Sequence, residues 1–104
     1  MTQSYVVSRS AAADLREIIR YTVKQWGEDK CRAYVAELEQ CTEALAKGIG
    51  VYKDMSELHP GLRVAACRHH IIFCLPRADA PALVIAILHE RMDIMVRLKA
   101  RLTP

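Results

Sequence analysis

A chain of 104 residues has room for one domain, 1–104, built on a single core, without a separate regulatory module. Apolar residues make up 52% of it and charged residues 26%, richer in apolar side chains than an average domain, which leaves apolar surface for a partner. The net charge of +3 is too small to mark a nucleic-acid binder, no apolar run reaches the ~18 residues of a membrane span, and "MTQSYVVSRS" lacks the apolar core of a signal peptide, so the expectations are no direct nucleic-acid binding, no membrane and a cytoplasmic protein.

"SYVVS" is rich in β-branched and aromatic residues and predicts a short first strand. Leu15, Ile18, Ile19, Thr22 and Trp26 then form one stripe of an amphipathic helix, with Ser10 as expected N-cap and Gly27 as stop. Glu28 and Asp29 open a second helix at its electropositive end. Its stripe runs through Cys31, Tyr34, Val35, Leu38, Cys41 and Leu45 to the stop at Lys47-Gly48. So short a turn makes the pair an antiparallel hairpin, and its one-sided apolar faces need a sheet to lie on.

Residues 49–61, "IGVYKDMSELHPG", show turn-forming residues and no sustained period, predicting a loop with at most one turn of helix. Strands follow at "LRVAA", "HIIFCL" and "ALVIAIL", the last two joined by the turn "PRADAP" as an antiparallel pair. The last strand is apolar at every position from Ala82 to Leu88, so both its faces are covered. One meets the hairpin; the other meets either the C-terminal segment, where Ile94, Leu98 and Leu102 recur every four residues, or a second protein.

The stretch "CRHHIIFC" invites a metal or catalytic reading, but alternation along a regular strand sends His69 and His70 to opposite faces, and no spaced second ligand pair accompanies them. No metal or cofactor is expected. Cys74 and the helical Cys31 and Cys41 read as small buried hydrophobes, and without a C-x-x-C pair the four cysteines are expected to be reduced thiols. "HERMD", residues 89–93, is the other polar cluster. It reads either as a solvated rim, with Asp93 favourable at a helix start, or as a contact surface at a strand end.

In order along the chain, "AAADLREIIRYT", "GLR", "HHIIF" and "ILHERMD" resemble the ParE toxins of bacterial toxin–antitoxin pairs, over nearly its whole length. The resemblance implies an α+β RelE/ParE-like fold, β-α-α-β-β-β, with an N-terminal helical hairpin packed on a mainly antiparallel sheet and a C-terminal helical segment. It implies a toxin that inhibits DNA gyrase by protein contact, with no catalytic residue of its own. Its other implied partner is a cognate antitoxin whose disordered C-terminal segment folds onto apolar toxin surface. Candidate target contacts are His89, Arg91, Asp93, Arg97 and Arg101; Arg63, His69 and His70 are candidates for structural or polar-rim roles.

Two alternatives accompany this reading. RelE-type relatives cut ribosome-bound messenger RNA, and Arg91 can match a basic position of that branch. Against it, His70 stands where that branch tends to carry arginine, and Tyr52 is the last tyrosine. The second alternative is a non-toxic module that only binds antitoxin.

Overall fold

The computed structural model describes residues 3–103; residues 1, 2 and 104 of the expected 1–104 domain lie outside them. In chain order the elements are β1 (Tyr5–Val7), α1 (Arg9–Trp26), α2 (Glu28–Lys47), β2 (Lys53–Asp54), β3 (Arg63–Cys67), β4 (His70–Leu75), β5 (Ala82–His89) and α3 (Ile94–Leu102). The five-stranded sheet has the order β1-β5-β4-β3-β2, antiparallel throughout except for β1, which runs parallel to β5. The expected α+β class and mainly antiparallel sheet are therefore found, with β2 as an addition inside the stretch read as loop. Its two residues pair with Val64 and Arg63 and are too few to leave a periodic signal.

Each helix is delimited by local chemistry. The N-cap of α1 is Ser8 rather than the expected Ser10, because the Ser8 hydroxyl accepts from the Ala11 N–H at 3.1 Å. Gly27 alone joins the two helices: its N–H donates to Val23 and its carbonyl accepts from Cys31. It does so at φ +90, where an L side chain is rarely found although a Cβ would meet nothing within 4 Å. At the far end of α2, Gly48 adopts the left-handed conformation, and a Cβ there would lie 3.0 Å from the Arg63 guanidinium. That guanidinium donates to the carbonyls of Leu45 and Ala46 and stacks 5.2 Å from the Tyr52 ring, so Arg63 neutralises the negative end of the helix.

The sheet has a core on each face. Leu38 and Leu45 of α2 and Ala11 and Ile18 of α1 pack on Ile72, Cys74, Val84 and Ile87. On the other face Leu98 of α3 meets Phe73, Ile85, Ala86 and Leu88 with Leu62. The C-terminal helix thus covers the face for which a second protein was the alternative. A β-bulge lets β5 serve both cores: its register on β4 steps from Ala86 opposite Phe73 to Val84 opposite Cys74, skipping Ile85. Ile85 and Ala86 consequently enter the same core in succession, and the alternation resumes with Ile87 on the hairpin face.

Leu98 is fully buried whereas Val96, on the outward side of the same helix, is 63% exposed. Urea unfolding should show Leu98→Ala losing about 2–5 kcal/mol, while Val96→Ala stays within about 0.5 kcal/mol. Equal effects would contradict this packing of α3.

Candidate functional site

β1 covers only Ala82, Leu83 and Val84, so the rest of β5 is an uncovered sheet edge. Two side chains from distant parts of the chain close it. The Asp14 carboxylate of α1 accepts the Ile87 N–H at 2.9 Å, and the Arg101 guanidinium of α3 donates to the Ile85 carbonyl at 3.1 Å. Asp14 and Arg101 also grip each other through two hydrogen bonds, one from Nη2 to Oδ1 at 2.7 Å and one from Nη1 to Oδ2. With side chains only 14% and 20% exposed, they form a clasp joining α1, the edge of β5 and α3.

Beside the clasp, where β4 begins and β5 ends, the hairpin and the sheet leave a cleft of about 730 Å³. Its hairpin wall includes Tyr21 and Trp26, and its floor includes Ile87, His70 and His89. Its rim carries Arg68, His69, Met92 and Arg97. His69 occupies the two-residue turn between β3 and β4, not a regular strand. Alternation does not act on it, and His69 and His70 therefore reach one cleft, correcting the sequence-based expectation of opposite faces.

Each of these imidazoles is tied to a neighbour by a hydrogen bond. The Tyr34 hydroxyl and His70 Nδ1 share a hydrogen bond of 2.5 Å, and burial raises the pKa of that hydroxyl. Burial, and then the neighbouring His89 and His69, push the pKa of His70 down to about 4. His89 accepts the Arg91 N–H at Nδ1, 3.1 Å away, while His69 Nδ1 donates to the Glu90 carboxylate at 3.1 Å. The His69 and His89 rings stack at 6.3 Å, and His89 meets His70 edge-on at 5.1 Å. Arg68 grips Glu37 at 2.6 and 3.0 Å, and that guanidinium holds the Glu37 carboxyl below its usual range.

Of the candidate contacts, His89 and Arg97 line the cleft, whereas Arg91 and Asp93 are exposed at the same end of the molecule. Arg101 turns inward to the clasp. Arg63 lies away at the C-terminal end of α2. The sequence reading missed Asp14, which is not among the stripe residues it gave for α1, and the polar role of Tyr34, which it placed only on the apolar stripe of α2.

The expected four thiols are also corrected. Cys41 and Cys67 form a disulfide, because α2 lies across β3 and brings their Cα atoms to 6.3 Å; Cys31 and Cys74 are free and buried. Comparing neighbours along the chain could not reveal a pair 26 residues apart on two packed elements.

The depressed His70 pKa links folding to pH. Between its ordinary 6.5 and about 4, the unfolded chain binds a proton that the folded chain does not. The stability from neutral His70 is thus complete above pH 6.5 and falls as the pH drops toward 4. Allowing for screening at this half-buried ring, wild type should lose on the order of 1–2 kcal/mol more than His70→Gln between pH 7 and pH 4 in urea titrations. Parallel profiles would contradict the assignment.

A family model described as the ParE toxin of type II toxin–antitoxin system, parDE, matches residues 5–94. A Toxin ParE of Escherichia coli is 60% identical over 99 residues, covering 95% of this chain and 96% of the relative. A Toxin ParE1 of Caulobacter vibrioides is 31% identical over 94 residues, covering 90% and 96% of the two chains. Among solved structures, a chain of the chromosomal ParDE TA system from P. aeruginosa superposes with a TM-score of 0.65 at 20% identity, covering 85% of this chain and 96% of that one. That likeness agrees with the fold, and the sequence matches carry the assignment: the chain belongs to the ParE toxin family of type II toxin–antitoxin systems.

Proposed function

We propose that this ParE chain arrests growth in the cytoplasm by binding DNA gyrase through its C-terminal end, and that a cognate antitoxin neutralises it by folding a disordered segment onto apolar toxin surface. The observation that carries the reading is the outward side of α3 and the turn before it. Met92, Met95 and Val96 are 42%, 41% and 63% exposed there. Arg91, Arg97 and Lys99 stand among them, and none is ion-paired among the described residues. Exposed methionine and arginine together favour a protein partner: the thioether adapts to an apolar surface while the guanidinium reaches acceptors around it. Asp93 and His89 border this surface. Arg101 contributes from behind, by fixing the helix that presents it.

The cleft keeps a ribonuclease reading in play. Glu90 accepts from His69 Nδ1, which leaves Nε2 of that ring as a base, and His89 and Arg97 line the same cleft. RNA cleavage needs a base, an acid and a cation around the phosphate, and these groups supply the types if a substrate reaches them together.

Purified protein should inhibit gyrase supercoiling or accumulate cleaved DNA. Arg91→Ala and Arg97→Ala should each weaken inhibition about tenfold, the effect of losing one important interface side chain, with unchanged thermal unfolding. Point substitutions are the appropriate test because deletion of the helix would remove Leu98 and Arg101 from the folded core. Cleavage of ribosome-bound message, abolished by His69→Ala while supercoiling proceeds normally, would overturn the gyrase reading.

A further inference from the structure

The disulfide lies where two anchors of the cleft rim meet. Cys41 follows Glu37 by one turn of α2, and Cys67 immediately precedes Arg68. The same helix face therefore holds the β3–β4 turn twice, through the Cys41–Cys67 bond and through the Glu37–Arg68 ion pair. The turn needs holding: Arg68 has φ +57, a conformation that costs a residue with a Cβ more than it costs glycine. Its ion pair is exposed, with side chains 63% and 40% accessible, and so is weakened by salt and water.

The surroundings also accommodate the open form. Cys67 Sγ lies 3.6 Å from the Glu37 carbonyl, so a reduced thiol at this buried position has an acceptor already in place. The remaining cysteines are set apart from exchange. Cys31 and Cys74 are 5% and 0% exposed, and burial pushes the Cys74 thiol up to about 11. Cys41 is only half-buried and offers the approach to the bond.

We propose that Cys41 and Cys67 are a reversible thiol–disulfide site, reduced by dithiols and reoxidised by low-molecular-weight disulfides, whose state sets the order of the Arg68–His69 turn at the cleft rim. In reduction, a dithiol's thiolate attacks Cys41 Sγ, the sulfur–sulfur bond breaks, and Cys67 leaves as a thiolate that takes up a proton. The second thiol of the reagent then displaces Cys41, which is protonated in turn. Two electrons have passed to the protein, and the reagent departs as its cyclic disulfide. Reoxidation by a small disulfide such as oxidised glutathione reverses the balance, yielding two small thiols for each protein disulfide. The inference does not depend on which target the toxin binds.

The full-length protein tests it directly. Denatured without reductant, it should take up N-ethylmaleimide only at Cys31 and Cys74; after dithiothreitol it should also take it up at Cys41 and Cys67, and graded mixtures of oxidised and reduced dithiothreitol should move it reversibly between these states. Amide hydrogen exchange at Arg68, His69 and His70 should accelerate about tenfold on reduction while that at Ile18 stays unchanged, the signature of local opening. Cys41→Ser should show the fast pattern without reductant, and the reduced wild type supplies the same comparison if that variant does not fold. Labelling of all four cysteines before reduction would overturn the proposal, as would exchange that rises uniformly along the chain or does not change at the turn.

Discussion

β1 pairs with only the first three residues of β5, and whatever closes the remaining edge decides where the C-terminal helix can lie. The Asp14–Arg101 clasp does this by giving the edge an acceptor for Ile87 and a donor for Ile85, taken from α1 and α3. Each charge also satisfies the other, which matters at this burial because either side chain alone would be a poorly solvated ion. The hairpin, β5 and α3 become one unit at this point. The outward arginines and methionines of the proposed target surface inherit their position from it.

The β-bulge at Ile85 complements the clasp. By adding one residue to β5 opposite Phe73 and Cys74, it places Ile85 and Ala86 successively against α3 and restores Ile87 to the hairpin face. The backbone groups bound by Arg101 and Asp14 belong to Ile85, the bulged residue, and to Ile87, two residues beyond it. Bulge, clasp and cleft therefore occupy consecutive positions along one strand, which ends at His89 among the other imidazoles.

Periodicity made most of the architecture legible. The two long helices, the Gly27 junction, β4 and β5 follow from apolar spacing and turn residues, and the unbroken apolar run of β5 correctly implied a cover on each face. The two-residue β2 had no period to read, and Ser8 displaced Ser10 as cap because α1 begins two residues earlier than that cap implies. The site was less legible because it is assembled between elements. Asp14 flanks the buried Ala11 and Ile18 on α1, but nothing in the local sequence shows that its carboxylate meets Arg101 from the other end of the chain. His69 follows no strand alternation because it belongs to a tight turn, and the Cys41–Cys67 bond depends on how α2 crosses β3.

A double-mutant cycle on Asp14 and Arg101, measured by urea unfolding of wild type, Asp14→Ala, Arg101→Ala and the double variant, tests the clasp most directly. A coupling energy of about 2 kcal/mol or more is expected, because each single change leaves the other group buried without its charged partner. Additive effects, with coupling below about 0.5 kcal/mol, would contradict the claim that this pair joins the C-terminal helix to the rest of the fold.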